Sequence, residues 1–182
     1  VRNGKVNAGT TFALGAGGIV SGTVKAGTTV ALGANSQVNK SNNSTPGTGT
    51  VKAETTVALG AGSSVAGDVT STYSTVTLGV GAHIKGATSA ASAATLGADA
   101  YTCGNVTAVT ATLAAGAYVD GNVNAVTSTL SAKAFVTGNL GTVPVGTNFG
   151  MTATLGADAC FGNVDVNTLT LGAGAGYCND SL

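Results

Sequence analysis

A leucine returns at a near-constant interval along the chain, and no other feature restricts the fold as strongly. Leu14, Leu32, Leu59, Leu78, Leu96, Leu113, Leu130, Leu155 and Leu171 each follow a T-x-A/T or closely similar triplet. Six of the eight gaps between them lie between 16 and 19 residues, and the other two, 27 and 25, are that period with an insertion. A short fixed period marks an architecture in which each repeat buries its apolar side only by stacking on the next.

The rows around the leucine say what each repeat is. Two residues before it stand Phe12, Val30, Val57, Val76, Ala94, Ala111, Ser128, Ala153 and Leu169. Six residues after it stand Val20, Val38, Val65, Ile84, Thr102, Val119, Val136, Phe161 and Tyr177, with the eighth repeat then one residue short. Glycine follows at position eight in most repeats (Gly22, Gly67, Gly86, Gly104, Gly121, Gly138), and position ten is again apolar (Val24, Val51, Val69, Val106, Val123, Leu140). Alternation within short segments, broken by glycine, reads as three short strands per coil with corners between them. The glycines are expected at corners that need positive φ.

The predicted fold is therefore all-β: a single parallel, triangular β-solenoid over residues 1–182, with about nine coils of 16–19 residues. Stacking at ~4.8 Å per coil gives a rod roughly 43 Å long. Polar insertions are expected near residues 39–48 and 141–150, each holding a proline, Pro46 or Pro144, that cannot donate to a strand ladder. Composition agrees with a thin core. Gly 29, four Phe, four Tyr and no Trp leave small side chains to fill it.

Charge excludes several classes of partner. Seven basic and seven acidic residues sum to zero, with no basic run, so binding to nucleic acid or to an anionic membrane is not expected. No apolar stretch is long enough to span a bilayer as a helix. The chain begins at Val1, which a removed signal peptide or excision from a larger protein would explain. Low Lys and Glu content with a Thr- and Asn-rich surface points to a secreted or extracellular protein.

The outward rows carry the functional signal. Three residues before the leucine stand Thr11, Thr29, Thr56, Thr75, Ala93, Thr110, Thr127, Thr152 and Thr168. One residue before it stand Ala13, Ala31, Ala58, Thr77, Thr95, Thr112, Thr129, Thr154 and Thr170. Fourteen of these eighteen positions are Thr and four are Ala, while the other 164 residues hold fifteen Thr. No charged residue falls on either row. Parity puts both rows on one side of one strand, roughly 6.6 Å apart. Threonine is stiff at χ1, so the rows form a repeated grid of hydroxyls and methyls that is rigid before any ligand arrives. Such a grid suits ordered water, and ice is the ligand with matching two-dimensional periodicity. The structural alternative is that Thr, a strong β-former, merely stabilises the strands. Position seven, which mixes Ser21, Ala66, Lys85, Cys103, Asp120 and Thr137, argues against a general preference.

The pairs Thr75/Thr77, Thr110/Thr112, Thr127/Thr129, Thr152/Thr154 and Thr168/Thr170 resemble the T-x-T rows of solenoid antifreeze proteins from insects. The resemblance implies ice or ordered water as the partner and a monomer that inhibits ice growth or recrystallisation. It implies no enzyme activity, catalytic residue, metal or cofactor. The first three coils depart from the pattern with T-x-A, and the disulfide-per-coil layout of beetle versions is absent. Turns near six residues are similar to those of left-handed hexapeptide solenoids, whereas the wider phrase G-N-V-x-A…T-L-G-A-x-A-x-V-x-G resembles bactofilins, which implies a right-handed coil. It also implies a second function, a self-assembling structural solenoid joined end to end.

Other side chains fit lesser roles. Cys160 and Cys178 fall on adjacent coils at one corner, as a disulfide or as two thiols. Cys103, about four coils from Cys178, is expected free. Three cysteines with one histidine make a poor metal site. His83 resembles the lone general base of hexapeptide acyltransferases but has no acid partner in the sequence pattern. Its row continues with Ser64, Tyr101, Tyr118 and Phe135. That aromatic row is expected to be covered by the second insertion (Pro144, Phe149) or a partner, or to stack on carbohydrate. Scattered Asp residues do not form a calcium repeat. Asn105, Asn122, Asn139 and Asn163 follow the corner glycine and are read as an amide row stabilising the turn.

Overall fold

A computed structural model describes residues 2–39, 49–141 and 151–178. Every regular element among them is a strand; 24 short strands join by parallel pairing into one coiled sheet of about nine turns, a β-solenoid. The strands fall into three stacks. The first contains Ile19–Ser21, Gln37–Asn39, Ser64–Val65, His83–Ile84, Tyr101–Thr102 and Tyr118–Val119. The second contains Val6–Ala8, Val24–Ala26, Val51–Ala53, Val69–Ser71 and Thr88–Ala90. The third contains Phe12–Leu14, Thr29–Leu32, Thr56–Leu59, Thr75–Leu78 and Ala93–Leu96, and ends with Thr152–Leu155 and Thr168–Leu171. In coils six and seven the strands Val106–Leu113 and Val123–Leu130 run from the second stack into the third without a break.

The leucine row is the register. Leu14 pairs with Leu32, Leu32 with Leu59, and so on through Leu78, Leu96, Leu113, Leu130, Leu155 and Leu171. The residue missing from the eighth coil appears as a register shift between Val136 and Asn139, where Val136 faces Phe161 and Asn139 faces Asn163. Of the two expected insertions, Asn39 closes a strand and Gly141 follows one. The rest of both, with Pro46, Pro144 and Phe149, lies outside the described residues.

The core is one cell thick. Val30, Val57, Val76, Leu78, Leu96, Ala111, Leu113, Leu130 and Leu155 are all at or below 3% exposure, alternating with open positions along each strand. Burying each Leu or Val contributes about 1.5–3 kcal/mol relative to leaving it exposed. The outermost described coil is less covered: Leu169 and Leu171 are 38% and 48% exposed. Cys160 and Cys178 are joined by a disulfide with Cα atoms 5.0 Å apart. Cys103 is a free thiol.

Of the six corner glycines, Gly22 and Gly121 sit at positive φ (135° and 157°), as their sequence positions suggest, and the other four need a different explanation. Gly67, Gly86, Gly104 and Gly138 do not sit at positive φ. They are required because the coil below approaches too closely for a side chain. A Cβ on Gly104 would lie 2.8 Å from the Ala87 nitrogen, and one on Gly86 only 2.6 Å from the Gly67 carbonyl carbon. The left-handed residue of each coil is instead the third after the leucine, occupied by Gly17, Asn35, Gly62, Gly81, Asp99, Gly116, Lys133, Asp158 and Gly174. That row's mixture of Gly, Asn and Asp is turn chemistry. The Asn35, Asp99 and Asp158 side-chain oxygens fill the space that a Cβ on Gly62, Gly116 and Gly174 would need in the next coil.

The asparagine row is a set of intercoil hydrogen bonds. The Asn122 backbone N–H donates to Asn105 Oδ1 at 2.9 Å, and that of Asn139 donates to Asn122 Oδ1 at 2.7 Å. Asn163 Nδ2 donates to Asn139 Oδ1 at 3.2 Å.

Candidate functional site

The third stack carries the threonine rows. In-register pairing sets Thr29 beside Thr56 and Thr56 beside Thr75. Thr77 sits beside Thr95 and Thr95 beside Thr112. The C-terminal coils carry both rows together: Thr110–Thr127–Thr152–Thr168 and Thr112–Thr129–Thr154–Thr170. Thr11 precedes the first strand of this stack. None of the fourteen threonines is buried. Thr11, Thr77, Thr127, Thr129, Thr154, Thr168 and Thr170 are exposed, and the other seven are half-buried. Between the two rows, Val30, Val57, Val76, Ala94, Ala111, Ser128 and Ala153 point inward and are buried. Strand parity and burial thus place both rows on the outer side of one stack.

The hydroxyls are unspent. Among the described residues, Thr11 is the one member of the fourteen whose hydroxyl has a protein partner, the Thr28 hydroxyl at 3.4 Å. Threonines elsewhere turn inward or along the rod. Thr102 Oγ1 donates to the Gly86 carbonyl at 3.0 Å, and Thr55 Oγ1 donates to the Thr28 carbonyl at 3.0 Å. Beyond Thr11, the rows therefore do not hold coils together through their hydroxyl groups.

A position the sequence reading passed over lies next to them. Four residues before the leucine stand Thr10, Thr28, Thr55, Ser74, Ser92, Val109, Val126, Met151 and Asn167. This corner is built the same way in several coils. One carbonyl accepts the backbone N–H groups of this residue and its successor in the next coil. Thr28 O takes Thr55 N at 2.9 Å and Thr56 N at 3.3 Å, and Ser92 O takes Val109 N at 3.0 Å and Thr110 N at 2.9 Å. Most of these corner residues are exposed, with Val109 at 53%. The Thr-Thr doublets at 10–11, 28–29 and 55–56 were the available signal.

The first stack presents a different outer surface. His83, Tyr101, Tyr118 and Phe135 form a column with ring centroids 4.7, 4.9 and 4.9 Å apart. The last two pairs are stacked, with interplanar angles of 19° and 7°. Their faces are spent on one another, which removes the open platform that carbohydrate stacking needs. Cys103 Sγ lies 3.9 Å from His83 Nε2. Burial, with the Lys85 charge, lowers the His83 pKa from its ordinary 6.5. The neighbouring Cys103 side chain, followed by burial, pushes the Tyr101 hydroxyl up to about 12. Burial, then the Asp120 charge, raises Tyr118. Among the described residues no group of three His, Cys, Asp or Glu side chains converges as a metal site.

The chain matches no family model, no curated protein and no solved structure in comparison with known proteins.

Proposed function

We propose that this protein binds ice through the threonine rows of its third stack. The observation that carries the reading is the set of outward hydroxyls with no protein partner, repeated in register from coil to coil. In a common rotamer, equivalent hydroxyls on neighbouring coils stand ~4.8 Å apart, beyond direct hydrogen-bond reach. A water ~2.8 Å from each of the two subtends roughly 118° at its oxygen. That is close to tetrahedral, the geometry each water has in ice. The methyl groups between hydroxyls accept no hydrogen bond and confine the water to the bridging positions. Each contact is weak, so affinity comes from many preorganised contacts made at once. The rows carry no charge that would hold a competing hydration shell. This chemistry has a use where ice forms, outside the cell.

A threonine kept only for strand stability has no need to gather on two rows of one stack, as fourteen do here. A self-assembling solenoid is the other reading, and it draws on the uncovered Leu169 and Leu171 of the outermost described coil. Ice recrystallisation inhibition separates them. Thr127→Tyr puts a bulky ring in the middle of the rows and is expected to remove most activity while leaving the circular dichroism spectrum unchanged. Lys52→Tyr, on the second stack, is expected to leave activity intact. Equal loss in both variants would count against this face. Filaments in electron micrographs of an inactive wild type would favour assembly.

A further inference from the structure

We propose that in coils six to eight the ice-contacting surface is three columns wide, its third column being Val109, Val126 and Met151. This rests on the ice-binding reading and extends it to side chains that carry no hydroxyl.

The argument begins with an exchange along the rod. Take together the fourth, third and first residues before each leucine. In coils one to three they read Thr-Thr-Ala, and in coils six to eight Val-Thr-Thr, Val-Thr-Thr and Met-Thr-Thr. Every coil except the fourth holds two hydroxyls in these three positions. The hydroxyl pair therefore moves across the surface, and the bare apolar residue moves from one edge to the other.

One hydrogen-bonded feature of the corner recurs in both halves. The carbonyl that accepts two N–H groups from the following coil recurs beneath Thr55/Thr56 and Val109/Thr110, and again where Met151 O takes Asn167 N at 3.0 Å and Thr168 N at 3.1 Å. At this corner Val109 is exposed and Val126 and Met151 are half-buried, next to Thr110, Thr127 and Thr152, none of which is buried. Thr110 pairs with Thr127 and Thr127 with Thr152, which sets Val109, Val126 and Met151 one above another. The unbroken strands Val106–Leu113 and Val123–Leu130 carry this column directly into the threonine rows. No charged side chain interrupts it. Val109 exposes 53% of its surface although Ser or Thr occupies the same place in the five preceding coils, so solubility alone does not call for valine. An aliphatic column beside hydroxyl columns suits a partner that is ordered water: its methyls fill spaces between waters that the hydroxyls anchor.

Thermal hysteresis against protein concentration tests the proposal, in wild type, Val109→Lys, Val126→Lys, Thr127→Tyr and Thr137→Lys. Thr137 is exposed on the first stack and controls for added charge. Val109→Lys and Val126→Lys are expected to lower hysteresis at least twofold with unchanged melting temperature, and Val109→Thr, nearly isosteric, to keep most of it. Thr137→Lys is expected to match wild type. Full activity in both valine-to-lysine variants, with Thr127→Tyr inactive, would overturn the third column and leave the threonine rows standing. A wild type without hysteresis would overturn both.

Discussion

Residues of one chemical type do different work here according to which way the strand turns them. Thr102 faces inward and spends its hydroxyl on the Gly86 carbonyl, whereas Thr127 faces outward and spends its hydroxyl on nothing in the protein. Ser36, Ser63, Thr88 and Ser128 are the costly cases, buried with no hydrogen-bond partner among the described residues, and Thr88 and Ser128 are at 0% and 1% exposure. Thr88 and Ser128 stand in rows otherwise filled by apolar side chains, most of them Val or Ala. Thr88→Val and Ser128→Ala should each stabilise the protein by about 1 kcal/mol, because an unsatisfied buried hydroxyl costs about that much or more. Chemical denaturation would show the shift in midpoint. Titration gives a second residue-scale expectation. The folded state holds His83 below its ordinary pKa, so the unfolded chain binds more protons as pH falls through about 6.5. Stability therefore declines slightly on acidification. Tyr101, raised to about 12, adds a decline on the alkaline side once the unfolded tyrosine ionises above its ordinary 10.0. Threonine does not titrate, so hysteresis should stay constant between about pH 5 and pH 9 while the denaturation midpoint drifts.

At the scale of strands and turns, what was legible in the sequence was whatever repeats by parity. The leucine rows, the buried Val/Ala rows between the threonines and the residue missing from the eighth coil all follow from spacing alone, because parallel in-register stacking turns a linear period into a column. The turn rows were harder. Glycines eight residues past the leucine look like left-handed corners, yet Gly86 and Gly104 are dictated by the approach of the coil below, which a single repeat does not reveal. The true left-handed position tolerates Asn35, Asp99, Asp158 and even Lys133 as well as Gly, so no single residue type marks it in the sequence. The disulfide belongs to this scale too. Cys160 and Cys178 are 18 residues apart, a loop whose closure contributes about 3 kcal/mol through the unfolded state. Coils in a solenoid contact only their neighbours, so Cys178→Ser should loosen the ninth coil locally. Hydrogen exchange should rise at Thr168–Leu171 and stay protected at Thr110–Leu113.

The whole molecule joins two properties that share one cause. Stacking coils in register satisfies the backbone and repeats each outward side chain at the strand spacing, so the fold that builds the core also builds the grid. The candidate face was legible in the sequence because fourteen threonines fall on two rows that exclude charge. Its corner column was not, because that row changes from Thr and Ser to Val, Val, Met and Asn along the chain and only the continuous strands tie Val109 and Val126 to the threonine rows. Growing a polycrystalline ice hemisphere in a dilute solution of labelled protein tests the central claim most directly, by measuring the fraction taken into the ice. Wild type should enter the ice, and a double variant Thr112→Tyr, Thr129→Tyr of unchanged fold should stay in the liquid. Exclusion of the wild type, or equal uptake of the double variant, would contradict the account.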